Sequence, residues 1–562
     1  MNDSPNKISP RRRRLRLGLI PAGGGPGGRK WAGLIVIALG VAMIIVDSTI
    51  VNVAIPQIIK DLGITSTDAQ WVQDVYTLVF AALLLVAGRM ADRLGRRLVF
   101  LAGIVIFVAG SILAASAGSG TALIMSRVVQ GVGGAMILPT SLSLLNAGFR
   151  GRERGIAFAV WGSTIGGTAA LGPLLGGWLT TSLSWRWAFG INVPIGVAVT
   201  VGLLLLVPES RGREPGRGND VLGAALTAIG LAGIVFALIE GRSDGWWIRT
   251  RPVSLLGINV TARLSPVPVA AVIGVASLVA FAFVERRRNR RGQAVLLDFR
   301  LFSIPSFRNG NIAAAIVSLG EFGILFALPL WIQNVLGLTA FDTGLILLPL
   351  AVGSFAASGF GAQVGATRGA LFVVRLGIGL EIAGVLGLGL AVSARTAPWE
   401  LVIPLFVYGV GIGLATAQLT GVVLADVPVS QSGQGSGTQS TARQIGSALG
   451  IAILGTILFS VLGSQLRSEL AGSRLPPAVQ ASIITSVKDS AGASIPALKA
   501  KPVTAAAAAD AQRALSTATR WAAASAAGFL MVGLAASLSL GASRRPPGDP
   551  AESGQAPRAP RS

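Results

Sequence analysis

Runs of about 20 apolar residues, separated by short charged or Gly/Pro-rich stretches, recur along almost the whole chain. Lipid accepts only elements that close their own backbone hydrogen bonds, so each run predicts a membrane-spanning helix. The runs fall near 31–54, 70–88, 98–117, 121–143, 156–179, 189–207, 221–240, 267–284, 309–332, 343–362, 370–392, 399–424, 440–462 and 521–541, fourteen spans in all. The pattern predicts an all-α membrane protein. The first span holds Asp47 and lacks a small-residue cleavage site, which argues against a removable signal peptide.

A repeat organises these spans. Leu62-Gly63-Ile64-Thr65-Ser66-Thr67-Asp68 precedes the second span, and Leu336-Gly337-Leu338-Thr339-Ala340-Phe341-Asp342 precedes the tenth. Thr followed three residues later by Asp also caps helix starts, but the two copies occupy equivalent places if spans 1–6 and 9–14 are homologous halves. The expected organisation is a basic disordered tail at 1–30, a six-helix half at 31–210, two inserted helices and a basic loop at 211–300, a second six-helix half at 301–541, and a disordered tail at 542–562. The Ala/Ser-rich segment 463–520, with four prolines, is expected to be a partly helical outer excursion with mobile parts.

Charge orients the chain. Of 47 Lys and Arg, 31 lie on the side of the N-terminal tail, counting Arg443, and 14 on the other, 7 of these in the long segment 463–520. Arg127 and Arg375 lie within spans. Basic residues gather in short cytoplasmic loops, so both termini are expected in the cytoplasm. The formal net charge of +23 therefore reads as loop anchoring rather than nucleic-acid binding. Gly23, Gly25 and Gly28 fit a dinucleotide-binding spacing, but no strand precedes them and Pro26 interrupts them. With no Cys and no His, the chain has no thiolate or imidazole chemistry, so no metal site and no enzyme activity are expected. Proton chemistry must fall to carboxylates.

Three carboxylates lie well inside spans: Asp47, Glu321 and Glu381. Each must face an aqueous cavity, meet a cation or take up a proton. Asp47 and Arg127 lie in the outer halves of their helices and can approach one another, whereas Glu321 sits at mid-membrane depth without an evident partner. Asp74, Gln130, Trp161, Trp331 and Gln333 are further candidates to line a cavity, together with Glu381. Between spans 2 and 3 stands Gly88-Arg89-Met90-Ala91-Asp92-Arg93-Leu94-Gly95-Arg96-Arg97, in which Gly88 and Gly95 suit a tight turn, Asp92 can pair with a cation or cap a helix, and Arg93, Arg96 and Arg97 can anchor at the inner surface. Span 5 carries small residues on one face, Gly162, Gly166, Gly167, Gly172, Gly176 and Gly177, with Pro173 permitting a bend.

The loop between spans 2 and 3 resembles the signature of the major facilitator superfamily. The Arg127 segment, Ser126-Arg127-Val128-Val129-Gln130-Gly131, is similar to that family's motif in which a buried Arg influences proton transfer, and the glycine run ending Gly172-Pro173-Leu174-Leu175-Gly176-Gly177 to its antiporter motif. Asp47 to Pro56 and Trp185 to Gly196 are similar to signatures of the fourteen-span drug:proton antiporters. The resemblance implies a major facilitator fold in a multi-pass cell membrane protein, with no cofactor other than the coupling proton. It implies export of amphipathic, cationic or neutral compounds by alternating access, with Arg127 influencing proton transfer; Asp47 and Glu321, carboxylates within spans, join Arg127 as the expected proton-coupling residues of a monomer. Lipid or metabolite export, import or uniport on the same fold, and a non-transporting membrane scaffold are the alternatives.

Overall fold

The computed structural model describes residues 26–541 apart from 65, 213–219, 242–244, 249–252, 256–257, 261–264 and 474. The predicted tails 1–30 and 542–562 lie outside the described residues, except that Pro26 already begins the first helix. The first half comprises α1 (Pro26–Leu62), α2 (Ser66–Leu94), α3 (Arg96–Ala115), α4 (Gly120–Gly148), α5 (Gly151–Ser182), and the short α6 (Trp187–Gly190) running on into α7 (Asn192–Leu206). Two inserted helices follow, α8 (Val221–Glu240) and α9 (Pro266–Arg290). The second half comprises α10 (Pro305–Asn334), α11 (Ala340–Arg368), α12 (Ala370–Ala391), α13 (Val402–Val423), α14 (Ser432–Leu470), α15 (Pro477–Asp489), α16 (Ile495–Lys499) and α17 (Ala505–Leu538). One departure from the all-helical expectation is an antiparallel pair of three-residue strands, Val253–Leu255 and Ile258–Val260, between α8 and α9.

Twelve stretches of the described residues are long and apolar enough to cross a membrane. Helices α5 and α11, of 32 and 29 residues, are not among them, although at about 1.5 Å per residue each exceeds a bilayer core in length. The chain is a multi-span helical membrane protein. Its lipid-facing character is plainest on α9, where Val269, Val272, Ile273, Val275, Val279 and Phe283 are all exposed. In water such a band would be a large penalty; in lipid it is ordinary.

Each half packs around its own helices, α1 against α5 and α7 and α3 against α4 in the first, α10 against α14 and α17 and α12 against α13 in the second. The halves meet along α5 with α11 and α13, and along α2 and α4 with α14. Glycine sets how near these helices come. A Cβ at Gly409 would sit 2.0 Å from the Leu350 carbonyl oxygen, at the α13–α11 crossing, and one at Gly433 would sit 2.1 Å from the Gly88 carbonyl oxygen, at the α14–α2 crossing. Gly88 is therefore a packing residue inside α2, while the turn expected from it belongs to Gly95 alone, whose φ of 122° disfavours a side chain.

The predicted span 440–462 is part of a longer helix. Residues 432–439, Ser-Gly-Gln-Gly-Ser-Gly-Thr-Gln, carry no hydropathic signal yet form buried helix, because small residues let α14 lie directly on α2. Arg443, near the start of that predicted span, therefore lies well inside α14. The segment 463–520 continues the bundle: α14 extends to Leu470, α17 begins at Ala505, and Leu466, Leu470, Ile483, Val487, Ile495 and Leu515 are buried between the helices. Arg513 bridges Glu469 at 2.9 Å and also meets Asp510 across this cap. The second copy of the repeat is a capping box: Thr339 accepts from the Asp342 backbone and Asp342 from the Thr339 backbone. The first copy includes Thr65, outside the described residues.

The close crossings yield a test of packing. Gly409→Val places side-chain carbon against the Leu350 carbonyl and should destabilise the purified protein by about 1–3 kcal/mol. Intrinsic tryptophan fluorescence in detergent should show a lowered melting temperature, whereas Gly528→Val, with nothing within 4 Å of the added carbon, should melt like the parent.

Candidate functional site

In the first half, Asp47 on α1 is fully buried, and so is Arg127 on α4. Their charged atoms are 2.5 Å apart. The other Asp47 oxygen accepts from Gln130 Nε2 at 3.0 Å and from Asn192 Nδ2 at 2.7 Å, and both amides also reach the Ser111 hydroxyl. Arg127 donates further to the Gln130 side-chain oxygen and to the Val72 carbonyl, and its guanidinium lies 4.2 Å from the centre of the Tyr76 ring. Two other helices, α4 and α7, therefore supply the direct partners of one buried carboxylate, and α2 and α3 complete the network around it. Such a pair survives in a low-dielectric interior only when the remaining lone pairs and N–H groups are also satisfied. One nitrogen, Arg127 Nη2, has no partner among the described residues.

The second half holds a sparser set. Glu321 on α10 is buried and 3.4 Å from Arg443 Nη2 on α14. Its other oxygen accepts from the Thr416 hydroxyl at 3.1 Å, and its carbonyl from the Tyr408 hydroxyl at 3.2 Å. Glu381 on α12 is fully buried, and neither carboxyl oxygen has a hydrogen-bond partner among the described residues. It lies within electrostatic reach of Glu321 and Arg443. The isolation expected of Glu321 thus belongs to Glu381. The signal for Arg443 was present as a lone basic residue at the edge of an apolar run. Asn192, similarly, is an amide in an otherwise apolar helix.

At the end of the bundle predicted to face the cytoplasm, Asp92 accepts from the backbone N–H groups of Gly433 and Gln434 at 2.9 and 3.0 Å. These are among the first amides of α14, whose own N-cap residue Gln431 supplies no side-chain cap. Asp92 caps a helix of the other half and sits on the positive end of its dipole. Arg96 completes the latch, donating to Asp92 at 2.9 Å and to the Val429 carbonyl. It is buried rather than an anchor at the surface, while Arg93 is exposed. Arg97 donates to the Val207 carbonyl, and Glu209 accepts from the Arg97 and Leu98 amides, capping α3. Sequence reading missed Glu209 because the cap comes from more than a hundred residues away.

The small-residue face of α5 is spent on contacts. A Cβ at Gly172 would strike Thr49 and one at Gly176 would meet Ile50, both on α1. Cβ atoms at Gly167 and Gly177 would meet Phe355 and Phe341 of α11, and one at Gly162 would meet Ala417 of α13. Gly166 and Pro173 lie within the same helix. Of the remaining candidates, Gln130 joins the Asp47 set, whereas Trp161 donates to Ser141 and Trp331 to Ser516 as buried residues. Asp74 and Gln333 are half-buried. Near the C-terminal end of α1, beyond its apolar stretch, hydrogen bonds from Trp185 and then Arg186 hold the Asp61 carboxyl below the usual range.

The two halves are thus joined by a carboxylate cap, and each carries a buried acid–arginine set. The family model described as Major Facilitator Superfamily matches residues 37–451. The chain belongs to the major facilitator superfamily. It is 36% identical over 463 residues to a probable actinorhodin transporter of Streptomyces coelicolor, covering 80% of this chain and 76% of that protein. It is 34% identical to the puromycin resistance protein pur8 of Streptomyces alboniger, with 77% and 82% covered. To the multidrug efflux pump LfrA of Mycolicibacterium smegmatis it is 33% identical, with 76% and 81% covered. Among solved structures, the human organic anion transporter MFSD10 shares the fold, with a TM-score of 0.56 at 14% identity over 90% of this chain and 99% of that one.

Two outcomes follow for this superfamily member. Asp47→Asn leaves Arg127 buried without its anion, so it should cost about 3–5 kcal/mol, more than Asp47→Asn combined with Arg127→Gln. Thermal unfolding of the three variants in one detergent measures the difference. Asp92→Asn keeps the shape but weakens the cap on α14, so spin labels on residues 153 and 429 should report a larger separated population than in the parent, with equilibrium substrate binding largely retained. Parallel loss of binding would show that Asp92 serves the substrate site and not the latch.

Proposed function

We propose that the protein is a proton-coupled exporter of amphipathic organic compounds, moving them across the cell membrane by alternating access. The observation that carries this reading is one set of buried carboxyl groups with an arginine in each half, Asp47 with Arg127 and Glu321 and Glu381 around Arg443, on either side of an interface latched by Asp92. A buried carboxylate that must choose between a proton and a cation links the movement of the two. Protonation from outside weakens the hold on a cationic substrate and releases it. Opening towards the cytoplasm then lets the proton leave and the next substrate enter, and the Asp92 latch must part for that opening. The names of the relatives, a probable antibiotic transporter, a resistance protein and a multidrug pump, support export of such compounds. The chain works as a monomer with fourteen crossings and both termini in the cytoplasm. α5 and α11 complete that count, and the basic C-terminal end of α9, residues 286–291, lies on the cytoplasmic side.

Everted vesicles made from cells expressing the protein test the direction and the coupling. Energised vesicles should accumulate fluorescent organic cations, and a protonophore should abolish the accumulation. Gradient-driven dye accumulation in intact cells instead would make the protein an importer. Single cysteines introduced into this cysteine-free chain test the topology: one at Arg290 should resist impermeant thiol reagents in intact cells, and one at Ser490 should react. Labelling of the first without lysis would invert the orientation.

A further inference from the structure

The charges buried in the second half do not balance. Two carboxyl groups, Glu321 and Glu381, share the reach of one arginine, Arg443. Arg443 is committed to Glu321, which has the Thr416 hydroxyl as a second partner. Among the described residues Glu381 has neither a cation in contact nor a hydrogen bond to either oxygen, and it has no exposed surface. The neighbouring helices offer no relief. From α13, Tyr408 spends its hydroxyl on the Glu321 carbonyl. From α17, Arg520 donates to the Val392 carbonyl beyond the far end of α12, and Arg375 of α12 itself donates to the Ser537 carbonyl. On α11, Asp342 is in the first turn and Arg368 in the last. Gly411 of α13 closes over Glu381 so tightly that a Cβ there would be 2.7 Å from the Glu381 Cγ. A charged carboxylate in that position would have a full desolvation cost and only Arg443, already held by Glu321, to offset it.

We infer that Glu381 is the neutral, proton-bearing member of the pair and that the proton exchanged for substrate leaves from it, while Glu321 stays ionised on Arg443. This deepens the proposed function and rests on it for the exchange, though not for the protonation. The step is one O–H dissociation: Glu381 becomes a carboxylate, the proton passes to water on the cytoplasmic side, and a cationic substrate or Arg443 supplies the positive charge. Glu321 is then a positioning residue, holding Arg443 away from Glu381 until the half rearranges.

Infrared difference spectra of the purified, full-length protein at neutral pH read the protonation directly. The spectrum of the parent minus that of Glu381→Gln should contain a carboxylic-acid C=O band, whereas that of the parent minus Glu321→Gln should contain carboxylate bands. A carboxylate signal lost with Glu381 overturns the assignment. In weak buffer, the proton release seen when the parent binds a fluorescent organic cation should vanish in Glu381→Gln. Unchanged release from that variant also overturns it, while a parent that releases no proton counts against proton coupling and leaves the infrared result standing. Should Glu381→Gln fail to fold, the parent itself gives the answer. A hydrophobic carbodiimide, which attacks protonated carboxyl groups in apolar surroundings, should form an adduct at Glu381 on peptide mapping, and absence of that adduct refutes the proposal.

Discussion

The structure depends on a single cost, that of leaving a charged or hydrogen-bonding group without a partner where water cannot reach it. In soluble proteins an unsatisfied side chain can turn towards solvent; within a membrane bundle it must find protein or change its protonation. Asp47 illustrates the first outcome: α3, α4 and α7 each contribute a polar side chain to one site on α1. Glu381 illustrates the second. The contrast between a crowded network and an empty one, in the same protein and at the same degree of burial, divides the labour between the halves.

The same cost explains the latch. The first amides of a helix have no partners within it, and α14 begins with Gly and Ser residues that offer no local cap. Asp92 supplies the missing acceptor from the other half, so closure of that end of the bundle and completion of a helix terminus are one event. Arg96, held by Asp92 and the Val429 carbonyl, keeps the carboxylate from being buried unpaired. Parting the halves exposes both the helix end and the ion pair to water, which can take over their hydrogen bonds; the interaction is therefore strong enough to latch and weak enough to release.

Glycine makes these contacts reachable. Helices in lipid gain little from the hydrophobic effect when they associate, so near approach and dispersion must serve instead. Gly88 against Gly433 brings the Asp92 carboxylate to the α14 amides, and the Gly face of α5 seats Thr49, Phe355 and Phe341 of the two halves along one helix. Packing and chemistry are coupled here because a single added methyl at such a crossing would separate the polar partners as well as the backbones.

Much of this was legible in the sequence. Apolar runs determined where helices lie because hydropathy is a local property, and the basic loops and the motif around Asp92 followed from residue type and spacing. The meeting of Asp47 with Arg127 was foreseeable from their depths. Tertiary structure decided what no local pattern records: that a polar stretch at 432–439 is buried helix, that Arg96 turns inward, that Arg443 belongs to Glu321, and that Glu381 has no hydrogen-bond partner among the described residues. These outcomes depend on which helix faces which, at what distance and rotation. Two carboxyl groups of the same kind in similar apolar helices read alike in sequence, and only the position of one guanidinium on a third helix makes one an ion and the other an acid.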